Sequence, residues 1–313
     1  MLRYYKHSEI DIEKWDQCVL KSENGLVYVT SWYLNIICPD WEALIEEREG
    51  EYYTIAPLLG QQKWGIKFHP KPPLVQQLGI VSIKPTTEHT LKEVVEFLKR
   101  KYLSFSYPIS NTVAENIRDI EIQKCNNHIL SLNRDYKTIF STYRRDRKAR
   151  IKQGQQQNIS LHFTDNIDQL LELFQTEVTP KIVGGVSESS IEHIQSIAKY
   201  ALKKQCGFIL EALNNENKVI SIGLFLKFKN RIIYLIAATT KEGKILQANS
   251  LLLDHVIATH AQKPLILDFE GSIVPGIADF YRSFGAEVEE YFLLMHIHSL
   301  GKLLFKIKSI FHK

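Results

Sequence analysis

Two carboxylates close an apolar run in the segment "PLILDFEGS", at Asp268 and Glu270. Because side chains alternate along a β-strand, this spacing predicts that both carboxylates lie on one face at a strand end. Either could accept a proton from an attacking amine or hold a substrate ammonium group. Either could instead cap the following turn or pair with a nearby arginine. Glu270 is the stronger candidate for a catalytic base because it adjoins the Gly271–Ser272 turn.

The Gly-Ser turn is itself a candidate binding feature. Its backbone N–H groups could hold an anion or a tetrahedral intermediate. Alternatively, Ser272 could bond its own backbone in an ordinary turn. Pro275 suits the first turn of a short helix at 275–283, and Gly285 suits its C-terminal end. Ser272 is therefore the one residue of this group that we keep as a candidate for substrate binding.

The strongest charge feature is the segment "DYKTIFSTYRRDRKARIKQGQQQN", which is predicted to be one basic helix ending near Gln157. Arg147 and Lys148 fall on one helix face, whereas Arg145 and Lys152 lie off it. These cations could bind the phosphates of a nucleotide-linked substrate, a tRNA or an anionic lipid. A solvated helix face is the alternative. Arg145 and Lys148 are the candidates for substrate binding.

Polar residues also interrupt the apolar segment "PPLVQQLGI", at Gln76 and Gln77. They could line a cleft between two lobes or satisfy buried backbone groups. A metal site is not expected, because His255 and His260 are five residues apart on one predicted helix. The motifs HExxH, GxSxG and the P-loop do not occur, which argues against metallopeptidases, α/β-hydrolases and NTPases.

Composition places the chain among globular proteins. It has 313 residues, of which 44% are hydrophobic and 24% charged, with a net charge of +4. This weakly basic balance permits anionic ligands without requiring nucleic acid. The four cysteines show no CxxC spacing and are expected to be free thiols in a reducing compartment. No secretory signal or eighteen-residue apolar run is visible, so a cytoplasmic location is expected.

A repeated order of elements predicts two α/β lobes. A helix at 88–101 leads to a strand at 102–109, a short segment at 111–117 and a strand at 119–132. Later a helix at 245–262 leads to a strand at 264–270, a short helix at 275–283 and a strand at 286–298. The repeat suggests an internal duplication, with lobes at 1–133 and 134–298. Meanders of antiparallel strands favour mixed, mostly antiparallel sheets over a doubly wound parallel sheet.

The last segment, 299–313, is a predicted basic amphipathic helix. Leucine, isoleucine and phenylalanine side chains share one face, and lysines occupy the other. Such a helix packs back on its own domain or makes a peripheral contact with a membrane surface.

The second lobe resembles the Gcn5-related N-acetyltransferase (GNAT) fold, in which three antiparallel strands precede a long helix, a strand, a short helix and a last strand. The whole chain is similar to the FemA/FemB/FemX-type tandem GNAT proteins. The segments that carry the resemblance are "NGLVYVTSWYL", "PPLVQQLGI", "YRRDRKARIKQG" and "LDFEGSIVPGIADFYRSFGAE". Those relatives transfer amino acids from aminoacyl-tRNA to peptidoglycan precursors.

The resemblance implies an acyl- or aminoacyl-transferase that acts on an amine acceptor such as a cell-envelope precursor. Its site would lie in a cleft between the lobes, floored by the second lobe. Tyr281 would protonate a leaving group and Arg282 would hold a phosphate, although a packed tyrosine and a solvated arginine are the alternatives. A non-catalytic GNAT-fold protein that binds an anionic envelope or polysaccharide component is the rival from another class.

The donor stays open. Acetyl-CoA-dependent GNAT enzymes carry a Gln/Arg-x-x-Gly-x-Gly/Ala loop before the long helix, whose backbone N–H groups hold the pyrophosphate. The corresponding junction here, "TTKEGKILQANS", has one glycine, Gly243. Gln247 and Asn249 are the donor-binding candidates that the resemblance places there. An acyl-CoA donor is implied by the fold and weakened by this loop. An aminoacyl-tRNA donor is implied by the family, but its coiled-coil insertion is absent from the sequence.

Overall fold

The computed structural model of the chain describes residues 1–110, 117, 119–270 and 275–298. The chain forms two compact units, one of Met1–Cys125 with Glu290–Lys313 and one of Asn126–Glu289. This division falls within two strands, whereas the sequence pattern places the boundary near residue 133. The candidate Ser272 and the predicted helix at 299–313 lie outside the described residues. None of the described helices is long and apolar enough to cross a membrane.

The first unit contains a small antiparallel sheet and three helices in its described part. Its elements are β1 (Arg3–Tyr5), α1 (Ile12–Lys21), α2 (Ser31–Ile37), β2 (Glu42–Arg48), β3 (Glu51–Leu58), β4 (Gln61–Lys63), β5 (Ile66–Phe68), β6 (Val81–Ser82), α3 (Glu88–Lys101), β7 (Ser104–Ile109) and the first part of β8 (Glu121–Ser131). The sheet has the strand order β1-β2-β3-β6, and β4 and β5 form a separate hairpin.

Capping and apolar spacing explain the helices of this unit. The Asp11 side chain accepts hydrogen bonds from the first-turn N–H groups of α1, which buries Trp15 against Trp41 with ring centroids 4.5 Å apart. The side chain of Thr87 accepts a hydrogen bond from Thr90 N–H and begins α3. The helix, predicted at 88–101, buries one face, which consists of Leu91, Val94, Val95 and Leu98.

The second unit alternates helices with a larger mixed sheet. Its further elements are α4 (Tyr136–Ser141), α5 (Arg145–Gln155), β9 (Ser160–Thr164), α6 (Ile167–Glu177), α7 (Glu188–Lys203), β10 (Gly207–Leu213), β11 (Val219–Phe228), β12 (Arg231–Thr239), α8 (Lys241–Ile245), α9 (Ala248–His260), β13 (Ile266–Asp268), α10 (Pro275–Arg282) and the start of β14 (Glu287–Ile297). Strands β9 to β12 pair antiparallel in sequence order, as the turn signals predict. Only the β12–β13 pair is parallel among the pairings described for this unit, because α9 carries the chain across between them.

The core of the second unit lies between this sheet and the helices α5, α9 and α10. Aromatic rings line it: Phe225 stacks on Phe208 at 4.8 Å and on Tyr234 at 4.6 Å, and Tyr281 stacks on Phe269 at 4.7 Å. The leucines of α9 complete the core. This packing fixes the ends of α9, β13 and α10 relative to one another within the unit.

Two helices that the sequence predicts as continuous are broken. The basic segment forms α4 and α5, and the segment at 245–262 contains the end of α8 and then α9, with Gln247 in a left-handed conformation at φ 64°. The predictions of single helices were therefore wrong at these points. Arg144 N–H donates to Ser283 O at 2.9 Å, which replaces a helical hydrogen bond with a tertiary one. Apolar periodicity does not reveal such local changes.

Candidate active site

A cleft of about 580 Å³ opens in the second unit beside the N-terminus of α9. It is lined by Arg150, Glu177, Val178, Lys181, Ile182, Ala237, Thr239, Gly243, Lys244, Gln247, Asn249, Ser250, Gly276, Ile277, Phe280 and Tyr281. The predicted candidates Gln247, Asn249 and Tyr281 are thus brought together from two helices. The volume suits a small molecule or one end of a larger ligand.

The N-terminus of α9 faces this cleft, and no side chain of the described residues caps it. Gln247 makes no capping hydrogen bond; its amide Nε2 donates to Lys244 O at 2.9 Å. The first N–H groups of an α-helix have no intrahelical partner, and the helix dipole gives this end a partial positive charge. Asn249 is fixed here, because its Oδ1 accepts a hydrogen bond from Tyr234 OH at 2.6 Å. The end of α9 therefore suits an anionic group.

Gly243, the single glycine of this junction, is explained by packing. A Cβ at this position would lie 2.1 Å from the carbonyl oxygen of Ile220, so only glycine lets α8 approach β11 this closely. The helix is capped by Thr240, whose Oγ1 accepts a hydrogen bond from Gly243 N–H at 2.9 Å. The neighbouring Glu242 accepts a hydrogen bond from Asn214 Nδ2 at 2.7 Å. The junction is thus a structural anchor for the start of α9.

Replacement of Gly243 by alanine is expected to lower the free energy of unfolding by about 1–3 kcal/mol, because the new methyl group forces α8 away from β11. Thermal denaturation measures the loss. Gly276→Ala is the matched control, since a Cβ there meets no atom of the described residues within 4 Å. Equal melting temperatures for the two variants would contradict the packing role of Gly243.

Cations surround the mouth of the cleft, and sequence reasoning missed most of them. Burial lowers the pKa of Lys244 below its ordinary value, and the charge of the nearby Lys181 lowers it further. Lys181 Nζ also pairs with Glu177 Oε2 at 3.2 Å. Arg150 lines the same cleft from α5. Two neighbouring ammonium groups repel each other, and a bound anion would relieve that repulsion.

Tyr281 presents a protonated phenol to the cleft. Burial first, and then the charge of Glu270, raise its pKa above the ordinary value of 10. Its OH therefore keeps its proton at neutral pH and can act as an acid but not as a base. Glu270 lies just beyond β13 with a left-handed backbone at φ 51°. Glu270 is therefore near enough for its charge to act on Tyr281, although it is not among the described residues that line the cleft.

Asp268 is held in a buried network within this unit. Its carboxylate accepts hydrogen bonds from Arg231 Nη1 at 2.7 Å, Asn127 Nδ2 at 3.0 Å and Glu270 N–H at 2.9 Å. Arg231 also pairs with Glu289. β13 ends at Asp268, and Glu270 lies beyond it with a left-handed backbone. Asp268 therefore positions the start of the turn that carries Glu270. Burial, and then the charges of both carboxylates, raise the pKa of Tyr281.

The basic helix contributes fewer ligands to this cleft than its sequence suggests. Arg145 is exposed, and Lys148 Nζ donates to Ser141 O at 2.7 Å; neither lines the cleft. Arg147 is 2% exposed, donates to Ser283 Oγ at 2.8 Å and stacks over Phe280. The helix is thus neither a simple solvated face nor a continuous phosphate-binding stripe.

The remaining predicted candidates are not among the described residues that line this cleft. Arg282 is about half exposed and lies 3.7 Å from Asp279. Gln76 and Gln77 are buried in the first unit, where Gln77 Nε2 donates to Gln76 Oε1 at 3.0 Å. Among the described residues, no group of three or more His, Cys, Asp or Glu side chains could hold a metal ion.

His128 on β8 is a residue that sequence reasoning missed. It is 1% exposed, and within the described part of the chain neither ring nitrogen has a hydrogen-bond partner. Its ring centroid lies 6.4 Å from that of Tyr281. Burial, and then the charge of Arg282, lower its pKa, so the imidazole is neutral. The polar pair "NH" inside the strand "CNNHILSL" was the available signal, but only the fold places it beside α10.

Solved structures with similar folds extend over nearly the whole chain. FemX matches with a TM-score of 0.69 and 12% sequence identity, covering 96% of this chain and 99% of that chain. L-PGS from Bacillus licheniformis matches at 0.54 and 10%, covering 96% of each chain. A tandem GNAT protein from the clavulanic acid biosynthesis pathway matches at 0.53 and 9%, covering 94% and 98%. No family model and no curated protein matches the sequence.

At these identities the similarity shows the fold and nothing finer. It confirms the predicted α/β class with mixed sheets and the predicted resemblance to tandem GNAT proteins at the level of structure. The chain therefore has the fold that FemX and the tandem GNAT protein share.

Proposed function

We propose that this protein is a GNAT-type acyl- or aminoacyl-transferase that moves an acyl group from a phosphate-bearing activated donor to an amine. The observation that carries the proposal is the cleft of the second unit. There an uncapped helix N-terminus and neighbouring lysines face the same space as a protonated Tyr281. An anion site beside a proton donor is what transfer from such a donor requires.

The cations and the end of α9 fit the phosphates of the donor. Gly243, the single glycine of this junction, packs against β11. The junction therefore has no counterpart of the glycine loop that binds pyrophosphate in acetyl-CoA-dependent GNAT enzymes. Lys181, Lys244 and Arg150 would supply the positive charge instead, together with the first N–H groups of α9. Acyl-CoA and aminoacyl-tRNA both carry phosphate groups on the part of the donor that leaves, so a cationic cleft fits either of them.

Direct attack of the amine on the donor gives roles to Glu270 and Tyr281. The amine nitrogen forms a bond to the acyl carbon, and the bond from that carbon to the leaving sulfur or oxygen breaks. Glu270 takes the proton that the amine loses, and Tyr281 gives its phenolic proton to the leaving group. The Tyr281 phenolate then takes a proton from solvent, and Glu270 releases to solvent the proton that it took from the amine.

The lysine pair is expected to control donor affinity. The double variant Lys181→Gln/Lys244→Gln should weaken donor binding about 10–100-fold, because two charge-assisted contacts to phosphate are lost. Calorimetric titration with CoA thioesters, and with the acceptor stem of an aminoacyl-tRNA, measures the change. Lys199→Gln/Lys203→Gln is the matched control, because both lysines are exposed on α7.

Three results of that titration are informative. The proposal is supported if Lys181→Gln/Lys244→Gln binds one class of donor more weakly and the control variant does not. The class of donor whose binding is weakened is then the donor of the reaction. Equal affinity in both double variants contradicts the assignment of the cleft as the donor site. Binding of an anionic envelope or polysaccharide component, without transfer from either donor, would support the non-catalytic alternative.

A further inference from the structure

The hairpin of β4 and β5 in the first unit exposes a tryptophan at its tip. Trp64 is 84% exposed and Ile66 is 40% exposed, and every residue from Gln61 to Lys67 is exposed. Large apolar side chains at such exposure contribute nothing to the core of the unit. By contrast, Trp15 and Trp41 of the same unit are fully buried. The exposed tip therefore needs an explanation outside the fold of the unit.

The backbone of this turn disfavours the residue that it carries. Trp64 and Gly65 connect the paired residues Lys63 and Ile66, and their φ angles of 51° and 78° are both positive. A two-residue turn of this kind favours asparagine or glycine at both positions, and a bulky side chain is unfavourable in the left-handed region. Tryptophan at position 64 is thus less favourable for the backbone conformation of this turn than asparagine or glycine would be. Its indole ring is the feature that the turn displays.

The charge around the hairpin has one sign. The segment from Tyr52 to Thr87 contains Lys63, Lys67, Lys71 and Lys84 and no aspartate or glutamate. In the described part of the chain no salt bridge neutralises the first three, and Lys63 Nζ lies over the Trp64 ring at 4.8 Å. The acids Asp119 and Glu121 line a cleft with Phe68, at the base of the hairpin and not at its tip.

From these observations we propose that the β4–β5 hairpin docks the protein on an anionic lipid surface. Trp64 and Ile66 enter the interfacial layer, and Lys63, Lys67 and Lys71 contact lipid phosphates. Tryptophan prefers the membrane–water interface, and lysines near an anionic leaflet add electrostatic attraction. A single-stranded nucleic acid would also use an aromatic ring and lysines. A nucleic acid would not bind the aliphatic side chain of Ile66. A lipid surface accounts for the tryptophan, the isoleucine and the lysines together.

Vesicle sedimentation tests this surface without any donor or transfer assay, so its result is independent of the proposed enzymatic function. We expect the full chain to sediment with vesicles in which a third of the lipid is phosphatidylglycerol, and not with pure phosphatidylcholine vesicles. Trp64→Asn should weaken the binding about tenfold, because asparagine suits the turn but lacks the ring. Lys63→Gln/Lys67→Gln should weaken it by a similar factor. Leu20→Gln is the control, since Leu20 is 48% exposed on α1 of the same unit.

Tryptophan fluorescence gives a second readout of the same contact. In a Trp32→Phe background, Trp64 is the exposed fluorophore, because Trp15 and Trp41 are fully buried. Anionic vesicles should shift its emission to the blue and protect it from acrylamide. The proposal is overturned if the wild type does not sediment with anionic vesicles or if Trp64→Asn sediments as the wild type does. Binding to single-stranded RNA through Trp64, without vesicle binding, would replace the lipid surface with a nucleic acid.

Discussion

Replacement of Tyr281 by phenylalanine is expected to lower the turnover number of acyl transfer about 100-fold or more. The phenol is the acid that the proposed mechanism uses, and a positioned general acid contributes 10²–10⁴-fold in typical enzymes. The ring of the variant keeps its stacking on Phe269 at 4.7 Å, so the loss should appear in kcat with little change in KM or melting temperature. Steady-state kinetics with the donor that binds measures both constants.

The pH profile of the wild type provides an independent check on the same residue. Burial and the charge of Glu270 raise the pKa of Tyr281, so the acid form persists to higher pH than for an ordinary tyrosine. We therefore expect no fall in kcat from deprotonation of Tyr281 below about pH 10. Tyr200→Phe, at a half-buried position on α7, is the control and should leave kcat unchanged. Undiminished kcat in Tyr281→Phe would remove this tyrosine from the mechanism.

Replacement of Asp268 by asparagine is expected to lower the free energy of unfolding of the second unit by about 3 kcal/mol. Asp268 is fully buried, and its ion pair with Arg231 at 2.7 Å joins the ends of β13 and β12. Removal of one partner of a buried pair costs about 3–5 kcal/mol when the other charge is left without compensation. Arg231 keeps its pair with Glu289, so we expect a loss at the lower end of this range. For a unit of this size the loss corresponds to a fall in melting temperature of about 6–12 °C.

Thermal denaturation of Asp268→Asn beside Asp165→Asn separates a structural role from a catalytic one. Asp165 is exposed, so its variant should melt as the wild type does. If Asp268→Asn also keeps the wild-type melting temperature but loses transfer activity, Asp268 acts in the reaction itself. A lowered melting temperature together with measurable transfer at low temperature is the result that we expect.

The order of elements was predictable because apolar periodicity, caps and turn residues act over a few positions. The helix predicted at 88–101 is found as α3, and the expected antiparallel meander is found in β10 to β12. The breaks before α5 and α9 were not predictable. They depend on contacts with residues distant in sequence, such as the hydrogen bond from Arg144 to Ser283 and the approach of Gly243 to Ile220.

The candidate site was predictable only where the resemblance supplied positions. Tyr281, Gln247 and Asn249 line the cleft, whereas Lys181 and His128 were not recognised. A lysine in a loop and a histidine in a strand have no local signature of binding; tertiary structure alone places them near α9 and α10. Strand alternation applies only while the backbone stays extended, and Glu270 lies beyond the end of β13 with a left-handed backbone, so alternation alone does not fix the direction of its side chain.

Hydrogen–deuterium exchange in the presence of donor tests the central claim most directly, since it reports where the donor binds on the intact chain. CoA thioesters and the acceptor stem of an aminoacyl-tRNA are added separately to the wild type and to the Lys181→Gln/Lys244→Gln variant. We predict that one donor protects the amides of residues 239–251, at the start of α9, and that the variant loses this protection. Protection confined to the first unit, with the segment at 239–251 unchanged, would contradict the account.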